Sequence, residues 1–87
     1  MAWTIEFSKQ AEKDALLLHR AKLGNRIKLL FDILENDPFQ NPPPYEKLTG
    51  NLSGRYSRRV NLQHRLVYEV FEGERIVRIL RMWSHYE

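Results

Sequence analysis

Three consecutive prolines, in the run Asn41-Pro42-Pro43-Pro44, constrain this 87-residue chain more than any other feature. Proline lacks the amide donor and fixes its own backbone angle, so the run cannot be helix and reads as a stiff extended loop. It separates two stretches of different hydrophobic period. Upstream, Trp3-Thr4-Ile5-Glu6-Phe7 alternates as a half-buried strand, and Ser8 is a plausible cap for a helix reaching about Lys22. Gly24 is the expected left-handed terminator. A second helix is expected from Asn25 to Glu35, with Ile27, Leu30, Phe31 and Leu34 on one stripe, and Asp37-Pro38 ends it. Downstream, the periodicity predicts strands over Tyr56–Asn61, His64–Phe71 and Ile76–Trp83, the last two joined by a tight turn at Glu72-Gly73-Glu74. The order β-α-α-β-β-β implies an α+β fold. A helical hairpin should pack on one face of a twisted, mainly antiparallel four-stranded sheet, as a single domain over residues 1–87.

The chain has no cysteine, which removes disulfides and thiolate metal sites. Its N-terminus shows no basic-then-apolar leader, and no apolar run approaches the roughly 20 residues that cross a bilayer. No membrane association is expected, and the cytoplasm is the expected compartment. A hydrophobic content of 43% suffices for a small core, so disorder is set aside.

Charge is unevenly distributed. Cations and carboxylates balance over residues 1–40, so residues 41–87 carry the whole net charge of +3. Lys47, Arg55, Arg58, Arg59 and Arg65 follow one another without an intervening acid until after Tyr68. Arginine suits two-point contact with phosphate, so a nucleic-acid partner is indicated, although a solvated basic face would look the same.

Little catalytic chemistry fits these residues. Three histidines without clustered carboxylates give no metal-ligand spacing, and Gly50 and Gly54 fit no phosphate loop. Nothing marks Ser53 or Ser57 as a nucleophile. Acid–base chemistry remains. RNA can be cut without metal or cofactor when its own 2′-OH attacks phosphorus, given a base, a cation and an acid. Glu46 beside the proline loop, Arg65 at a strand start and His85 past a strand end offer one of each. Composition alone does not select them.

A resemblance does. The run Tyr45 to Val60, containing Asn51-Leu52-Ser53-Gly54 and Ser57-Arg58-Arg59, then His64-Arg65-Leu66-Val67-Tyr68 and the ending Trp83-Ser84-His85-Tyr86, resemble the YoeB/Txe toxins. These belong to the RelE-like superfamily of type II toxin–antitoxin modules, and the resemblance spans nearly the whole chain. It implies an endoribonuclease that cuts mRNA in the A site of a 70S-type bacterial ribosome. It also implies a cognate YefM/Axe-like antitoxin, acidic and partly disordered, and it is compatible with a homodimer. Carried onto this sequence, Glu46 is the general base, Arg65 the phosphate-stabilising cation and His85 the general acid. Tyr86 orients the substrate, and Lys47, Arg58 and Arg59 are candidate substrate contacts. Arg55-Tyr56 departs from the two aromatics common in relatives, and Glu87 adds a charge beside the proposed acid.

Each assignment has a plainer alternative. Glu46 beside Lys47 could be a solvated loop carboxylate, and Arg65 an exposed strand residue. Arg58 and Arg59 are adjacent, so on a strand they point to opposite faces, and only one can share the site. His19, His64, Trp3, Trp83, Leu66, Tyr68 and Val70 read as structural. Two rival functions stand beside the nuclease: a non-catalytic RNA- or ribosome-binding module, and a ParE-like poison of DNA gyrase. Neither needs an acid and a base so disposed.

Overall fold

The computed structural model describes residues 2–50 and 54–85, with Ser84 and His85 described by backbone alone. The elements are β1 (Thr4–Phe7), α1 (Lys9–Arg20), α2 (Gly24–Asn36), β2 (Tyr45–Lys47), β3 (Arg55–Arg59), β4 (His64–Phe71) and β5 (Ile76–His85). The two helices pack on a sheet ordered β1-β5-β4-β3-β2, antiparallel except for the β1–β5 pair. The expected α+β architecture holds, with one strand more than expected. β2 is the addition: three residues beside a proline run are too few to show alternation, yet they pair with β3. Among the described residues no helix is long and apolar enough to cross a membrane.

Ser8 starts α1 as the sequence suggests. Its Oγ accepts from the Ala11 amide at 3.0 Å and donates to the Leu80 carbonyl at 2.9 Å, which ties the helix start to β5. The helix ends differently from expectation. Lys22 takes the left-handed conformation (φ 63°), with the Leu23 amide reaching back to the Leu18 carbonyl at 2.9 Å, while Gly24 already belongs to α2. Leu18 and Leu23 are apolar and pack into the core, which sets the end ahead of the glycine. Ala11 and Leu18 of α1, with Leu30 and Leu34 of α2, meet Leu66, Tyr68, Val77, Ile79 and Met82 of the sheet.

A charged residue shares that interior. Asp14 of α1 is 1% exposed, and its Oδ2 accepts from the Arg81 guanidinium (2.8 Å) and from the amides of Met82 (2.9 Å) and Trp83 (3.2 Å). Burial opposes its charge, but these donors outweigh burial and hold the carboxyl below its ordinary value.

The helix hairpin yields a test. Gly24 has ordinary helical backbone, and the nearest atom to an added Cβ is His19 Nδ1 at 4.0 Å. Gly24→Ala should therefore stabilise the fold by about 0.4–1 kcal/mol, and Lys22→Gly should also stabilise it by relieving the left-handed lysine. Urea unfolding measures both. A loss of stability in Gly24→Ala would restore glycine as the terminator.

Candidate active site

One turn and one clamp bring the candidate residues together. Asn61 closes the β3–β4 hairpin: its Oδ1 accepts from the amides of Gln63 (2.9 Å) and His64 (2.8 Å), so β3 stops at Arg59, short of the expected Asn61. This turn sets Arg59 opposite Arg65 and Ser57 opposite Val67. On the other side Glu46, at the centre of β2, pairs in register with Ser57.

The clamp is Arg58, which is 1% exposed. Its guanidinium donates to the carbonyls of Pro38 (3.0 Å), Gln40 (2.8 Å) and Pro43 (2.6 Å) and to the Tyr68 hydroxyl (3.2 Å), and lies 5.0 Å from the Tyr45 ring centre. Tyr68 donates in turn to Pro38 at 3.0 Å; burial pushes its phenol up to about 12, against the pull of the Arg58 charge. The loop that delivers Tyr45 and Glu46 is thus stapled to the sheet by its own carbonyls. Arg58, expected as a substrate contact, lies instead in the interior, with four of its five N–H groups donated to loop carbonyls and Tyr68. Lys47 is exposed and pairs with Tyr56, so alternation sets it on the face opposite Glu46.

The face away from the helices carries Glu46, Arg59 and Arg65. Register arranges it in rows. Glu6, Arg78, Glu69 and Arg55 form one row of alternating charge, with Arg55 Nε 3.3 Å from Glu69. Glu46, Ser57 and Val67 form the next, and Arg59 and Arg65 the third, beside the backbone of Ser84. Among the described residues the first row alternates in sign, and the third holds two arginines, one of them paired with Glu46. Arg65 is 7% exposed; its Nε donates to Ser57 Oγ at 2.9 Å and its Nη2 to Glu46 Oε1. Glu46 keeps 52% of its side chain exposed, and Arg59 is exposed too. A solvent-facing carboxylate beside an oriented guanidinium can take a proton from, and neutralise charge on, a group laid across the face.

Ser57 carries no mark of a nucleophile, and the structure gives it a different part: it is 3% exposed and orients Arg65. Alternation from Arg59 is the sequence signal for it, since residues 55, 57 and 59 share a face. His64 is buried and stacks on Trp83 with ring centres 3.8 Å apart. The His85 backbone lies opposite His64, one step beyond the Arg65–Ser84 pair, while its side chain and all of Tyr86 and Glu87 lie outside the described residues. A concavity of ≈ 560 Å³ lined by His19, Arg20, Lys22, Gly24 and Asn25 includes none of these groups.

Known proteins share this sequence pattern and this fold. The family described as the YoeB-like toxin of bacterial type II toxin–antitoxin system matches residues 7–86. Toxin YoeB of Synechocystis sp. is 42% identical over 66 residues, covering 76% of this chain and 74% of that protein. In the YoeB–YefM complex from Staphylococcus aureus the matching chain is 36% identical with a TM-score of 0.76, covering 99% of this chain and 100% of that one. The YoeB/ParE toxin from Agrobacterium tumefaciens superposes with a TM-score of 0.86 at 25% identity, covering 95% and 99%.

If Arg58 serves the loop, Arg58→Met should cost about 3 kcal/mol of folding stability, because buried carbonyls and a phenol lose their donor. Denaturant unfolding measures the loss. A variant as stable as the parent would contradict the clamp.

Proposed function

Because this chain belongs to the YoeB-like toxins of bacterial type II toxin–antitoxin systems, we propose that it is an endoribonuclease that cuts mRNA in the ribosomal A site and so blocks translation. The observation that carries this reading is the Glu46–Arg65 pair, held by Ser57 on the arginine-bearing outer face. An RNA phosphate laid there meets the guanidiniums of Arg65 and Arg59. It takes over Arg65 as its own partner, which frees Glu46 for the neighbouring 2′-OH. Glu46 accepts the hydroxyl proton as the 2′ oxygen bonds to phosphorus. Arg65 stabilises the charge gathering on the non-bridging oxygens. The bond from phosphorus to the 5′ oxygen breaks, and the His85 imidazolium gives that oxygen its proton. The products are an upstream RNA ending in a 2′,3′-cyclic phosphate and a downstream RNA with a free 5′-OH.

Each proton transfer is assigned to a side chain, so the reaction is read as metal-independent, with Tyr86 orienting the substrate. The working compartment is the cytoplasm, where ribosomes are. The partners are the bacterial ribosome and an acidic antitoxin of the YefM kind, the partner named in the Staphylococcus aureus complex. Such a segment would fold over the row of Arg59 and Arg65, where Glu46 is the adjacent carboxylate.

Single-turnover cleavage of ribosome-bound mRNA tests the roles separately. Glu46→Gln and His85→Ala should each slow cleavage by about 10²–10⁴. Arg65→Lys should lose about 10² or more despite keeping its charge, since lysine cannot hold Ser57 and phosphate together in one plane. Wild-type rates in Glu46→Gln, or equal rates in Arg65→Lys and the parent, would refute the assignment.

A further inference from the structure

Charge over residues 1–40 balances in sum but not in place. Between Asp14 and Asp32 the chain carries Arg20, Lys22, Arg26 and Lys28, together with His19, and no carboxylate. Asp14 itself is buried and paired with Arg81. All four cations are exposed, and among the described residues none of them forms an ion pair. They gather where α1 turns into α2. His19, Arg20, Lys22, Gly24 and Asn25 line the concavity of ≈ 560 Å³ there. Lys28 lies four residues on from Gly24, on the same side of the helix.

This corner is joined to the candidate site. Arg26 Nε donates to the Val60 carbonyl at 2.8 Å, and Val60 follows Arg59 in the chain. Arg26 also follows Asn25, so the concavity lies within one helical turn, about 5.4 Å of rise, of the hairpin contact.

We infer that the α1–α2 corner is a second phosphate-binding surface, holding the backbone of the RNA strand that flanks the cut bond. This rests on the strand lying across Arg59 and Arg65, as the proposed function has it. Two features direct the strand this way. The opposite end of the face carries Glu6 and Glu69 in its first row, and these carboxylates repel phosphate. At the hairpin end, Arg59 leads past Val60 to Arg26 and so to Arg20, Lys22 and Lys28. The lining also suits RNA better than a protein segment. None of its side chains is apolar, whereas a protein partner anchors itself through apolar or aromatic groups in a pocket. Cations around an open polar hollow suit a nucleic-acid backbone, which they can follow without reading its bases.

The test uses the full chain carrying Glu46→Gln, so that RNA is bound and not cut. Fluorescence anisotropy over a range of salt would follow single-stranded RNAs of about 4 and about 16 nucleotides. On the long RNA, Arg20→Gln with Lys22→Gln should lower the slope of log affinity against log salt by about 1.4. Affinity should fall about 10-fold near ~0.1 M salt. The short RNA covers the row of Arg59 and Arg65 alone and should bind as before. Lys9→Gln with Lys13→Gln removes the same charge from the other half of α1, and should leave both RNAs unaffected. Arg59→Gln reports on the row itself and should weaken both. If the corner pair matches the Lys9 and Lys13 control while Arg59→Gln still weakens binding, the inference falls and the RNA reading stands. If neither weakens binding, both fall. An equal loss on the short RNA would make the corner a separate site and overturn the continuous path. Unchanged RNA binding with weaker binding of a poly-glutamate peptide would give the corner to an acidic protein partner, again overturning the inference.

Discussion

Arg58 is what ties the proline loop to the sheet. A guanidinium that is 1% exposed is tolerated only if its donors are satisfied, and here three loop carbonyls and the Tyr68 hydroxyl do so. The stiff segment over residues 38–43 has carbonyls to offer because prolines there give it no regular structure of its own. The same contacts therefore stabilise a buried cation and fix an otherwise unsupported loop. Glu46 sits at the end of that loop, so its position opposite Ser57 depends on the clamp. The site inherits its geometry from the interior, one residue away on the strand.

That one-residue offset explains why a run of arginines divides into different tasks. In β3, Tyr56 and Arg58 face inward, while Arg55, Ser57 and Arg59 face outward. Arg55 is matched by Glu69 across the sheet. Arg59 and Arg65 are left in the row nearest the end of β5, where Glu46 is the adjacent carboxylate.

Much of the fold was legible because it is local. Ser8 as a cap, the Leu30 and Leu34 stripe, the stop at Asp37-Pro38 and the β4–β5 hairpin each follow from neighbouring residues. Alternation showed only that Arg58 and Arg59 point to opposite faces; which of them turns inward needed the loop carbonyls that Arg58 meets. What stayed hidden is non-local. β2 is too short to show a period, β1 finds β5 across most of the chain, and the left-handed Lys22 is set by core packing of its neighbours. Ser57 gains its part only from Arg65 on the next strand, and Asp14 only from amides at the far end of the chain. The Glu46–Arg65 pair could be named from resemblance alone; its geometry needed the sheet register.

The central claim is that the RNA supplies its own nucleophile while this chain supplies the base, the cation and the acid. It is tested most directly with a ribosome-bound mRNA carrying a single 2′-deoxynucleotide at the cleaved position. Such an mRNA is predicted to bind normally and stay intact at that position, whereas the all-ribose mRNA is cut there and yields a cyclic phosphate end. Cleavage of the deoxy-substituted site at the ribose rate would contradict the claim.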